Sequence, residues 1–283
     1  MLCKDINIRD PFVVYEDGKY YMYGTRARNF GKKTGGFDVY ISTDLVNWSE
    51  PHPCFDSEAF GLNFAANWAP EVHKYNGAYY MFATFTREEE KLRATFAMKA
   101  DNPMGPFVLH SKGPLTPVEW ECLDGTLYVN REGKPYLVFC HEHTQIIDGT
   151  VCFVALSEDL SEPVGEVTTL FAASECPFVA PMDSNGHFVT DGPYMYRTED
   201  GRLYMLWSSF VKGKYAELLV AFPDGELNTN FRHVPPLMTE DGGHGMIFSA
   251  EGKTYLSLHS PNKMNEEKPV FFPLHVSDEG LSL

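Results

Sequence analysis

Positive charge is scarce in this sequence: 23 Lys and Arg stand against 39 Asp and Glu, for a formal net charge of −16 at pH 7. A surface of that sign repels phosphate backbones and anionic headgroups, which sets aside nucleic acid and membranes as partners. No apolar run is long enough to span a bilayer as a helix. No basic-then-apolar leader opens at Met1, so a cytoplasmic location is expected of the chain as given, or a periplasmic or secreted one if a leader has been removed. The six cysteines include no Cys-x-x-Cys pair, and Cys140 and Cys152 lie inside apolar runs. Buried free thiols in a reducing compartment are expected, and a zinc site built from them is not. With no Gly/Ser-rich or Pro-rich linker and no low-complexity tract, residues 1–283 are expected to form one domain.

What is present is a repeat. Phe12 to Tyr15 is a short apolar and aromatic run, Asp17-Gly18 supplies a tight turn, and Tyr20 to Tyr23 returns. The pattern of a turn glycine followed three residues later by tyrosine recurs at Gly18/Tyr21, Gly77/Tyr80, Gly133/Tyr136, Gly201/Tyr204 and Gly252/Tyr255. Each copy is flanked by strand-like runs, and successive copies are 51 to 68 residues apart. A repeat of that length made only of short strands predicts an all-β, five-bladed β-propeller. The segment before Asp10 is too short to lend an outer strand to the last blade, so the ring is expected to close by packing. The glycine-rich stretch 29–36 precedes a strand, not a helix, and reads as a surface hairpin with no phosphate site.

Counted back from the turn glycine, Asp10, Asp124 and Asp191 fall eight, nine and ten residues before it, each at the head of a first strand. First strands line a propeller's channel and run the same way, so three acids converge at one mouth. Carboxylates gathered there repel one another and raise at least one pKa, which acid–base cleavage of an acetal requires. Trp68, Trp207 and Phe12 are candidate platforms for a sugar ring. His141-Glu142-His143 is open to two readings: two histidines on one strand face suit a metal, and Glu142 at the strand end is a spare carboxyl.

Ile8-Arg9-Asp10-Pro11-Phe12 with Gly18-Lys19-Tyr20-Tyr21, then Trp68-Ala69-Pro70-Glu71-Val72, then Asp124-Gly125-Thr126, resembles glycoside hydrolase family 43 over nearly the whole chain. The resemblance implies a five-bladed propeller hydrolysing arabinosides, xylosides or galactosides in oligosaccharides or plant-type polysaccharides. It implies Asp10 as general base, Asp124 as the group that orients the acid and tunes its pKa, and Trp68 and Glu71 at the sugar. It places His244 beside a hydrated channel cation, often calcium, with no cofactor required for the chemistry. The family's acid lies in Glu-Gly-Pro, where this chain has Asp191-Gly192-Pro193. That side chain is about 1.5 Å shorter, which leaves Glu142 as an alternative acid. The expected activity is exo-acting, inverting hydrolysis of terminal arabinofuranosyl, xylosyl, galactofuranosyl or galactosyl residues. A glycan-binding propeller that has lost catalysis is the rival.

Overall fold

The computed structural model describes residues 1–29, 35–62 and 65–283. Four blades have four antiparallel strands in chain order and the fifth has three, followed by a separate two-stranded hairpin, His275–Ser277 with Gly280–Ser282. The first strands are Ile8–Glu16, Asn67–Tyr75, Cys122–Val129, Asp191–Arg197 and Gly243–Ala250. Each packs against the first strands of the blades on either side, including the last against the first, so the five enclose a central channel. This is the five-bladed β-propeller that the repeat predicts. In four hairpins both turn residues have positive φ, as at Asp17 (49°) and Gly18 (73°). That is the primed turn whose twist matches the flanking strands.

Both faces of each blade meet a neighbour, so the second strands are apolar without alternation. Ala78–Thr86 is buried along its whole length. Adjacent residues serve opposite interfaces: Met81 packs with Tyr23, Phe37 and Phe96, while Phe82 packs with Leu127, Leu137 and Phe139. Each such side chain, fully buried, contributes roughly 1.5–3 kcal/mol. All six cysteines are free thiols, and five of them are buried.

Ring closure is by packing. Phe12, Val13 and Tyr20 of blade one bury against Met246 and Phe248 of blade five. Polar ties reinforce the seam: Arg9 pairs with Glu267 at 3.0 Å, and Ser257 Oγ donates to the Pro11 carbonyl at 2.7 Å. The N-terminal segment adds no strand to blade five: Leu2 bridges to Asn47 of blade one, while the turn Cys3–Asp5 packs against the outer strand Lys268–Pro273 and Asn7 Nδ2 donates to the Glu267 carbonyl at 2.9 Å. The stretch 29–36 lies largely outside the described residues.

One irregularity positions the site. Every first strand is interrupted near its start by a bulge. The bulged residue has positive φ in all five blades: Asp10 (56°), Ala69 (48°), Asp124 (56°), Gly192 (49°) and His244 (54°). Its predecessors Arg9, Trp68, Leu123, Asp191 and Gly243 pair with Thr25, Thr84, Cys140, Ser208 and His259 on the second strands. A bulge re-aims side chains locally, and strained backbone of this kind gathers at functional sites. It also corrects an expectation. Asp10 and Asp124 share a repeat position, but Asp191 does not, because the residue equivalent to them in blade four is Gly192. Asp191 stands one residue earlier, where the strand presents a different direction.

Candidate active site

The channel opens into a cavity of about 390 Å³ whose lining includes Asp10, Asp124, Asp191, Glu142, Trp68 and His244. The three aspartates therefore meet in one pocket although they do not share one register.

Asp10 is buried, and each carboxylate oxygen has a neighbour. Oδ2 accepts a hydrogen bond from Thr25 Oγ1 at 2.6 Å, and Oδ1 lies 3.2 Å from His244 Nδ1. His259 Nδ1 accepts the Asp10 backbone N–H at 3.2 Å, so it presents no proton to the carboxylate. Burial alone would raise the Asp10 pKa, but the nearby His244 imidazole and Arg9 guanidinium override it and hold it well below the usual carboxylate range. Asp10 is thus ionised.

Asp191 is the opposite case. It keeps part of its surface open to the pocket, and its Oδ2 accepts a hydrogen bond from Tyr215 at 3.0 Å. Burial, reinforced by the Asp124 charge, pushes its pKa up to about 7. Asp124 lies between them. Its Oδ2 accepts the Gly192 N–H at 3.1 Å and sits 3.8 Å from His244 Nδ1. Burial and then the charge of Asp10 raise its pKa well above the ordinary value. Asp124 and Asp191 therefore resist carrying two charges together, and Asp191 is the member open to the pocket.

Glu142 lines the same pocket in a different state. Its carboxylate pairs with Arg93 Nη2 at 2.8 Å and His143 Nδ1 at 2.5 Å. Burial would raise its pKa, but His143 and Arg93 override that and lower it. A carboxylate held ionised by two cationic partners is a poor proton donor at neutral pH. Glu142→Gln is expected to weaken the anchoring of Arg93 and His143 and to slow turnover on the order of 10-fold. The loss should be equal on substrates with good and poor leaving groups. A loss confined to poor leaving groups would make Glu142 the acid.

The histidine triplet does not form one face. The strand Pro135–His141 ends at His141, and His143–Ile146 is a helical turn. His141 stacks on Trp120, with ring centroids 4.2 Å apart, whereas His143 turns into the pocket. The shared strand face that would suit a metal is therefore absent from this segment. No group of three His, Cys, Asp or Glu side chains suited to a metal occurs among the described residues. His244 Nε2 is buried without a hydrogen-bond partner among them. One imidazole nitrogen suits a hydrated cation contacted largely through water, not a cage of carboxylates.

Of the aromatic candidates only Trp68 lines the pocket, and the Arg93 guanidinium lies 5.0 Å from its ring centroid. Trp207 is 0% exposed and packs on Phe171 between blades three and four. Phe12 is 5% exposed and packs on His73 and Tyr194. Neither can stack on a sugar, because interblade packing has taken their faces. Glu71 is buried against His73 Nε2 at 3.0 Å and is not part of the lining. Arg93, His143 and Tyr215 are pocket residues that the repeat does not mark. The one available signal is a buried tyrosine hydroxyl, which needs a polar partner. Arg93 is the first residue of the strand Arg93–Ala100 in blade two.

The sequence profile described as Glycosyl hydrolases family 43 matches residues 5–269. A solved structure of an endo-arabinase from Bacteroides thetaiotaomicron VPI-5482 is 36% identical, with 98% of each chain covered and a TM-score of 0.89. A thermostable family-43 glycoside hydrolase is 22% identical, with 98% of this chain and 92% of the other covered and a TM-score of 0.81. An endo-1,4-beta-xylanase from Bacteroides thetaiotaomicron VPI-5482 is 23% identical, with 98% and 94% covered and a TM-score of 0.78. No curated protein matches the chain. The profile match over most of the sequence and the 36% identity carried end to end place the chain in one family: it belongs to glycosyl hydrolases family 43, and it is a glycoside hydrolase.

Proposed function

We propose that the chain hydrolyses arabinosyl linkages of oligosaccharides or polysaccharides with inversion, releasing terminal arabinofuranosyl residues, with xylosyl and galactosyl relatives as weaker substrates. The observation that carries this reading is the pair of opposed carboxyl groups in one pocket, Asp10 ionised and Asp191 still protonated near neutrality. Asp191 protonates the leaving oxygen while Asp10 takes a proton from the attacking water. The attacked carbon carries oxocarbenium character, which acidifies that water, so a weakly basic carboxylate suffices. Asp124 keeps the proton on Asp191 through charge and proximity. A hydrated cation, calcium among the candidates, would sit beside His244 and supply fixed positive charge to the channel.

The test is hydrolysis of aryl arabinofuranosides, xylosides and galactofuranosides and of arabinan, with the product anomer read by NMR before mutarotation. Inverted arabinose is expected. A retained anomer sinks the mechanism, and binding without turnover on all substrates favours a glycan-binding propeller. Cleavage at internal bonds is a second reading, favoured by the 36% identity to an endo-arabinase. Oligosaccharide products of mixed length in place of monosaccharide would establish it.

The pH dependence follows from the same pair. Asp191 must be protonated, so kcat/KM falls as pH rises through about 7. Asp10 must be ionised, and its lowered pKa puts the acid limb below the usual carboxylate range. A pH–rate profile checks this, and an undiminished rate at about pH 9 would remove Asp191 from the role of acid.

A further inference from the structure

The bulge of each first strand leaves one backbone N–H directed at the preceding blade. In four blades a side chain on the neighbour's second strand accepts it. Thr25 Oγ1 takes the Ala69 N–H at 2.7 Å, Thr84 Oγ1 that of Asp124 at 2.9 Å, and Ser208 Oγ that of His244 at 2.7 Å. His259 Nδ1 takes that of Asp10 at 3.2 Å. The acceptors occupy one repeat position, each paired with the residue before a bulge. In blade three that position is Cys140, which pairs with Leu123. A thiol is a weak acceptor, and a buried N–H requires a partner. Gly192 N–H donates instead to Asp124 Oδ2 at 3.1 Å.

We propose that Cys140 is a positioning residue: by withholding the acceptor that every other blade supplies, it makes Asp124 bind the Gly192 N–H and so ties Asp124 to the strand carrying Asp191. The girdle that elsewhere holds only backbone here holds a side chain of the site. A carboxylate oxygen occupied by this bond cannot rotate away from Asp191, and the residue after Asp191 cannot drift from Asp124. The catalytic consequence rests on Asp191 being the acid, whereas the tie itself does not.

Cys140→Ser restores the missing acceptor, and the three hydroxyl contacts of 2.7–2.9 Å in the other blades indicate that it reaches the Gly192 N–H. Cys140→Ala removes the thiol and adds no acceptor. The Gly192 amide proton resonance reports which group accepts its hydrogen bond, now Asp124 Oδ2 at 3.1 Å. It is expected to move in Cys140→Ser, where a hydroxyl takes over as acceptor, and to stay in place in Cys140→Ala. In Cys140→Ser, kcat on arabinosyl oligosaccharides is expected to fall on the order of 10-fold, with KM unchanged and dinitrophenyl glycosides spared. Cys140→Ala should keep the rate. A resonance unmoved in Cys140→Ser, or moved equally in both variants, overturns the tie. A moved resonance with an unchanged kcat overturns its positioning role. If the resonance moves as expected but Asp191→Asn proves harmless, the acid assignment fails and the tie stands.

Discussion

Asp10→Asn is expected to lose turnover on every substrate, natural or activated, by on the order of 1,000-fold. Asn keeps the shape and can still accept from Thr25, whose hydroxyl lies 2.6 Å from Asp10 Oδ2. It cannot take a proton from water. Because water must be deprotonated whatever the leaving group, the loss should be the same for oligosaccharides and dinitrophenyl glycosides. Substrate affinity should change little, since the charge removed already faces His244 at 3.2 Å. Parallel kinetics on the two substrate classes, with a melting curve to establish folding, check this. Full activity toward the activated glycoside would show that another group serves as base.

Asp191→Asn is expected to behave differently. Turnover of natural glycosides should fall by on the order of 100-fold or more, while a dinitrophenyl glycoside, whose leaving group needs no proton, should lose far less. The basic limb near pH 7 should vanish with the carboxyl group. Folding should not suffer, and linkage says why. The Asp191 pKa is raised from 3.8 to about 7 in the fold. As pH rises from about 4 toward 7, the unfolded chain ionises this group while the folded chain does not, so stability falls across that window. Asn escapes this effect, and at pH 7 the variant should melt no lower than the parent. A lowered melting temperature together with equal losses on both substrates would mean that Asp191 holds the pocket together and does not act as its acid. If that leaving-group pattern belongs instead to Glu142→Gln, the acid lies on blade three.

Much of the architecture was legible in the chain because it rests on local chemistry repeated five times. A turn glycine and a tyrosine three residues on mark a hairpin wherever they occur, and their spacing by itself determined the number of blades. Asp10 and Asp124 were legible because each heads a first strand beside a motif. Other assignments depended on information that no single segment carries. Counting back from the turn glycine leaves a residue of slack, because the loop between first and second strands is two residues long in blades one, two and five and five residues long in blades three and four. Only the paired strand reveals that Gly192, not Asp191, is the counterpart of Asp10 and Asp124. The faces of Trp207 and Phe12 were settled by blades distant in sequence, which bury both rings. His141 and His143 parted because the strand stops between them. The state of Glu142 was decided by His143 beside it and by Arg93 from blade two, 49 residues away. The sequence by itself determined which residues bear charge and that a propeller brings them to one mouth. Tertiary structure decided which of them keeps its proton, because burial and neighbouring charge are properties of the assembled ring and not of any strand within it.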